Sequence, residues 1–209
     1  QSVCADISEW LNEPTNHVDV DVLMGGPPCQ SFSNANKQRQ EEDSRDELYK
    51  LFVDSIPLFN PKIILIENVR GFERVVPELR KLVEKKGFRT AVLKLNARDF
   101  GIPQNRVRIF TLGVKTQYFG KINSDSVLQR IVNRVEASKQ KERPLSIAID
   151  DLPKLTASRI RNNTAFESSS TGYSIQRGLG FESEYVKEIN NAISSPIIFN
   201  HKARYNNDR

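Results

Sequence analysis

Short apolar runs alternate with amphipathic stretches along the first half of the chain. "VDVDVLM" (18–24) is rich in β-branched residues and stops at Gly25-Gly26-Pro27-Pro28, which predicts a strand ending in a turn. "DSRDELYKLFVDSIPLF" (43–59) spaces Leu48, Leu51, Phe52, Ile56 and Phe59 as one helix face behind an acidic start. "KIILIEN" (62–68) is a wholly apolar run ending in Glu67 and Asn68, of the kind buried on both faces of a parallel sheet. "VPELRKLVEKKG" (76–87) predicts a helix with Leu79, Leu82 and Val83 on one side and Gly87 just past its end. "TAVLKLNA" (90–97) and "RVRIFTLGVK" (106–115) predict two more strands. Strand, helix, strand, helix, strand, strand is an α/β layered order, for which a mostly parallel sheet is expected.

After residue 115 the pattern loosens. "TQYFGKINSDSVLQRIVNRVEASKQKERP" is polar with room for one helix, and "NNTAFESSSTGYS" is a loop-like Ser/Thr/Asn tract. The expected organisation is a layered core over residues 1–120 and a smaller irregular lobe over 121–209.

Composition narrows the picture little. The chain has 209 residues, 38% hydrophobic and 27% charged, within the range of globular proteins. No apolar run approaches the roughly 20 residues of a membrane helix. The two cysteines, Cys4 and Cys29, build no disulfide framework, and with two histidines they give no spaced metal site, so no metal is expected. Such sparse cysteine fits a reducing interior, cytoplasmic in a bacterium or nuclear in a eukaryote. Residues 1–120 hold 17 Lys+Arg against 16 Asp+Glu; the remainder of the 31 and 26 is 14 against 10. The excess of +4 therefore sits in the second part, as binding of a polyanion requires, although plain solvated surfaces carry as much.

Chemistry concentrates at predicted strand ends, where ligands bind in open α/β sheets. Cys29 follows the double glycine and double proline directly. Glu67 ends a buried run, where a carboxylate is costly unless paired or used. Asn68 follows it with an amide suited to positioning. Arg106 and Arg108 alternate, so both are expected on one strand face. Cations near a thiol favour the attacking thiolate. Singly, each has a bland alternative: a core thiol, and surface arginines paired with carboxylates.

Together the residues carry a resemblance. "DVLMGGPPCQSFS", "ILIENVRGF" and "NARDFGIPQNRVRIF" resemble, in order and spacing, signature blocks of the cytosine C5 DNA methyltransferases. "DSRDELY", "SIAIDDLP" and "NHKAR" resemble further stretches of that family. The resemblance implies a Rossmann-like class I methyltransferase core, here incomplete, followed by the start of a target-recognition region. It implies Cys29 as the nucleophile that adds to carbon 6 of a flipped-out cytosine, Glu67 at ring nitrogen N3 and the amine, Arg108 at the ring carbonyl, and Arg106 in support. S-adenosylmethionine is the implied methyl donor, leaving as S-adenosylhomocysteine, with Asp6, Ile7, Pro28 and Leu48 implied around it. Asp6 is equally readable as a helix cap before "SEWL".

Double-stranded DNA is the implied partner, met by Gln30, Ser31, Ser33, Lys37, Arg39, Asn68 and Gln104, and the polar stretch 31–42 suits a loop closing on a flipped base. The family's glycine-rich cofactor loop and its final motifs have no counterpart in these residues, so an interior piece of the full pattern is expected. A bacterial modification enzyme with a cognate restriction endonuclease is the expected setting. Two alternatives stand beside it: the tRNA-methylating branch of the family, and a catalytically silent DNA-binding member.

Overall fold

The computed structural model describes residues 4, 6–12, 18–28, 48–149, 167–168, 173–177, 183–189 and 197–199. The described elements are α1 (Ile7–Leu11), β1 (Val22–Gly25), α2 (Leu48–Phe59), β2 (Ile63–Val69), α3 (Val76–Lys85), β3 (Phe88–Asn96), β4 (Val107–Lys115), α4 (Thr116–Phe119) and α5 (Lys121–Ala137), then α6 (Ser146–Ile149), β5 (Glu167–Ser168), β6 (Tyr173–Arg177), α7 (Glu184–Ile189) and β7 (Ile197–Phe199). Single-turn 3₁₀ segments at Arg70–Arg74 and Ala97–Phe100 follow β2 and β3.

The first sheet has the order β1-β2-β4-β3. β1 and β2 run parallel, joined through α2; β4 is antiparallel to both β2 and β3. The sheet is thus mixed, where a mostly parallel one was expected. The reason is chain length: the segment between Asn96 and Val107 is too short for a crossover of a dozen or more residues, so β4 must return antiparallel.

Period-two alternation divides β2 between two layers. Ile64 and Ile66, 0% and 1% exposed, join Val53, Ile56, Leu79, Val83 and Ile109 in a core under α2 and α3. Ile63 and Leu65 face the other way, into a smaller cluster of Leu112, Val114, Leu128, Val127 and Ile131 under α5. Arg89 of β3 clips α5 from the side, its Nε and a terminal guanidinium nitrogen donating to Asp125 at 2.8 and 3.0 Å. The hydrogen bond from Arg89 holds the Asp125 carboxyl below its usual range.

The chain divides into two compact units, one of residues 1–101 with 105–141, the other of 102–104 with 142–209. The first unit runs past the residue-120 boundary expected from the sequence, because α5 lays Val127, Leu128 and Ile131 on the sheet. In the second unit, β5-β6-β7 form an antiparallel sheet. There Ser183 ties α7 to α6 by donating its hydroxyl to the Ile147 carbonyl, and Arg143 pairs with Glu188 at 2.7 Å. No described helix is long and apolar enough to cross a membrane.

Candidate active site at the strand rim

Register fixes the site. Gly25 of β1 is level with Ile66 of β2, so the chain leaving β1 passes beside Glu67 and Asn68. On the other side, β4 sets Val69 opposite Arg108 and Glu67 opposite Phe110. Directly opposed residues share a face, so Glu67 and Arg108 are diagonal neighbours. They meet: Arg108 Nε lies 2.7 Å from Glu67 Oε1, with the Arg108 side chain 22% and the Glu67 side chain 39% exposed. A terminal nitrogen of Arg108 also donates to the Val107 carbonyl at 2.9 Å, which fixes the guanidinium plane. A carboxylate and a guanidinium side by side offer adjacent acceptor and donor edges to a planar, polar group.

Two glycines lie beside this arrangement. A Cβ on Gly25 would stand 2.5 Å from a ring carbon of Phe52, so β1 packs on α2 only without a side chain there. A Cβ on Gly26 would lie 3.4 Å from Glu67 Oε2, so the carboxylate rests on bare backbone.

Asn68 takes a different place from the DNA contact expected of it. It is 3% exposed, and its Nδ2 donates to the Pro27 carbonyl at 3.2 Å while its Oδ1 accepts from Val69 N–H at 2.9 Å. At 3% exposure, with both amide atoms engaged by neighbouring backbone, the side chain is turned into the protein rather than toward solvent. Arg106 lies just before β4 and is exposed. Its N–H donates to Asn96 Oδ1 and its carbonyl accepts from Ala97 N–H, both at 3.0 Å. Asn96 also donates to Asn105 Oδ1 at 2.8 Å. It therefore closes the mouth of the β3–β4 connection, a part no sequence reading gave it, although an asparagine at a strand end is a known turn former. Gln104 is exposed and turns back on the Ile102 carbonyl at 2.7 Å, within the second unit.

The residues expected around a cofactor are less gathered. Asp6 caps α1, accepting at Oδ1 from Ser8 N–H at 2.9 Å and from Ser8 Oγ at 2.5 Å. The Ser8 hydroxyl, more than its N–H, holds the Asp6 carboxyl below the usual carboxylate value. Ile7 is 48% exposed, Pro28 is exposed and Leu48 is half-buried at the start of α2. Trp10 stacks on Phe59 at 5.6 Å, so α1 meets the end of α2 remote from Leu48. Cys29, Gln30, Ser31, Ser33, Lys37 and Arg39 lie outside the described residues.

A model of the C-5 cytosine-specific DNA methylases matches residues 1–207. The chain belongs to that family. Within the family it is 39% identical over 111 residues to the type II methyltransferase M.AplI of Arthrospira platensis, covering 49% of this chain and 30% of that protein. It is 33% identical over 151 residues to the type II methyltransferase M.MthTI of Methanothermobacter thermautotrophicus, covering 70% and 42%. The chain thus spans less than half the length of these two curated relatives. A solved structure of an E. coli prophage-encoded protein described as a DNA modification methyltransferase superposes with a TM-score of 0.55 at 21% identity, over 93% of this chain and 56% of that one. That likeness supports the methylase α/β fold.

Proposed function

We propose that this chain carries the catalytic rim of a DNA cytosine C5 methyltransferase. The observation that carries the reading is the Glu67–Arg108 pair, set against Gly26 three residues before Cys29. Carbon 5 of cytosine is a weak nucleophile while the ring is aromatic. Addition of the Cys29 thiolate at carbon 6 breaks the C5–C6 double bond and moves its electron pair to carbon 5. Charge then develops toward N3 and the ring carbonyl. Glu67 meets N3 and the exocyclic amine, and Arg108 donates to the carbonyl oxygen, each already aligned by the other. After carbon 5 has taken up a methyl group, loss of its proton returns an electron pair to the C5–C6 bond and expels Cys29 as thiolate.

S-adenosylmethionine, when bound, supplies the electrophilic methyl group. By chemistry alone Ile7, Pro28 and Leu48 offer apolar surface for the adenine and Asp6 a carboxylate with acceptor capacity beyond its Ser8 bonds, although α1 meets the end of α2 remote from Leu48. The cytosine must leave the DNA stack to reach the rim, and in this reading the polar stretch 31–42, with Ser33, Lys37 and Arg39, meets the strand backbone. Target reading falls to the region after residue 120, most of which lies in the second unit.

The test is covalent capture. Duplex DNA carrying 5-fluorocytosine, with the full-length protein and S-adenosylmethionine, should give a protein–DNA adduct that Cys29→Ser abolishes. An adduct with tRNA and none with DNA would transfer the reading to the tRNA branch. No adduct with either would sink it.

A further inference from the structure

Consecutive residues of β2 serve opposite faces, and the second has no part in the chemistry above. Pro27 and Pro28 lack N–H groups, so the β1–β2 ladder that ends at Gly25 and Ile66 cannot be extended by donors from this stretch. What the stretch still offers is carbonyl oxygens. Asn68 supplies the donor: its Nδ2 reaches the Pro27 carbonyl at 3.2 Å from a site only 3% exposed. Its Oδ1 is held by Val69 N–H at 2.9 Å, so the amide cannot turn over without losing both bonds. Cys29 stands two residues beyond Pro27, within about 7 Å of extended chain. We infer that Asn68 is a positioning residue for the nucleophile: it latches the carbonyl of Pro27 and so fixes where the chain carrying Cys29 leaves the sheet. This rests on Cys29 being the nucleophile. Glu67 and Asn68, neighbours with side chains on opposite faces, then hold the base and the attacking thiol to one common reference, the backbone of β2.

The test uses the full-length protein with Cys4→Ser as background. Asn68→Asp keeps the shape and the acceptor for Val69 but replaces the amide donor. At saturating 5-fluorocytosine DNA, its rate of covalent addition should fall by about 30- to 100-fold, the scale of a 1 Å misplacement. Its dissociation constant for DNA should stay within about twofold of the parent, since the latch does not touch DNA. Asn68→Ser, small and uncharged, carries the test if the aspartate variant does not fold, with the same split and a smaller loss.

A second measurement needs no substrate. The rate at which iodoacetamide alkylates Cys29 should move in the variants toward that of the free peptide "LMGGPPCQSF". Addition and alkylation rates equal to the parent's would overturn the latch. So would a raised DNA dissociation constant with the parent's rate of addition at saturation. If the parent forms no adduct, the catalytic reading fails, and the alkylation comparison still decides the latch.

Discussion

The two faces of the first sheet are built to different standards. Toward α2 and α3, Ile64, Ile66, Ile109 and Asn68 are each no more than 3% exposed. Toward α5, cover is partial: Leu112 and Val114 are sealed, but Val22 and Met24 are 47% and 66% exposed, and the Glu67–Arg108 pair sits on the open end. The sealed face supplies most of the apolar burial, worth about 25 cal/mol per Å². The open face tolerates charge because water reaches it, and that is where a polar ligand can bind. Stability and chemistry are thus allotted to alternate residues of a single strand.

That division has measurable consequences. Ile66→Ala, on the sealed face, should lower unfolding free energy by about 2–5 kcal/mol in urea titration, through lost transfer energy and a cavity. A cost below about 1 kcal/mol would show that this face is not the structural one. Its neighbour Glu67→Gln should do the reverse. Adduct formation should drop by about 100-fold or more, as for removal of one preorganised electrostatic group, while unfolding free energy shifts by less than about 1 kcal/mol. Retention of the full rate would remove Glu67 from the mechanism. Smallest of all, Met24→Lys should change stability by no more than about 0.5 kcal/mol, the range of an exposed position. A larger loss would mean that Met24 is covered in the folded protein.

Much of this was legible in the residues. Apolar runs ending at Gly25 and at Glu67 located two strand ends on one rim, and the pairing of Glu67 with Arg108 follows from alternation once the strands are adjacent. The antiparallel return of β4 was hidden because "RVRIFTLGVK" is as apolar as a parallel core strand; the short connection before it held the information. The packing of α5 was masked by the polar composition of its stretch, in which only Val127, Leu128 and Ile131 form the contact stripe. Asn68 was legible in direction, since period two turns it away from Glu67. Its partner was not, because a hydrogen bond to Pro27 spans 41 positions and leaves no mark on local composition.

The partly covered β1 has a further consequence, in colloidal terms. Among the described residues this strand is paired on one side only. Its exposed Val22 and Met24 add a sticky stripe to that free edge. The net charge of +5 repels like molecules over a Debye length, about 8 Å at physiological salt and shorter as salt rises, whereas strand pairing acts only at contact. For this chain, salt sets the distance at which copies stop avoiding one another, and the exposed stripe of β1 is one described edge where contact can begin.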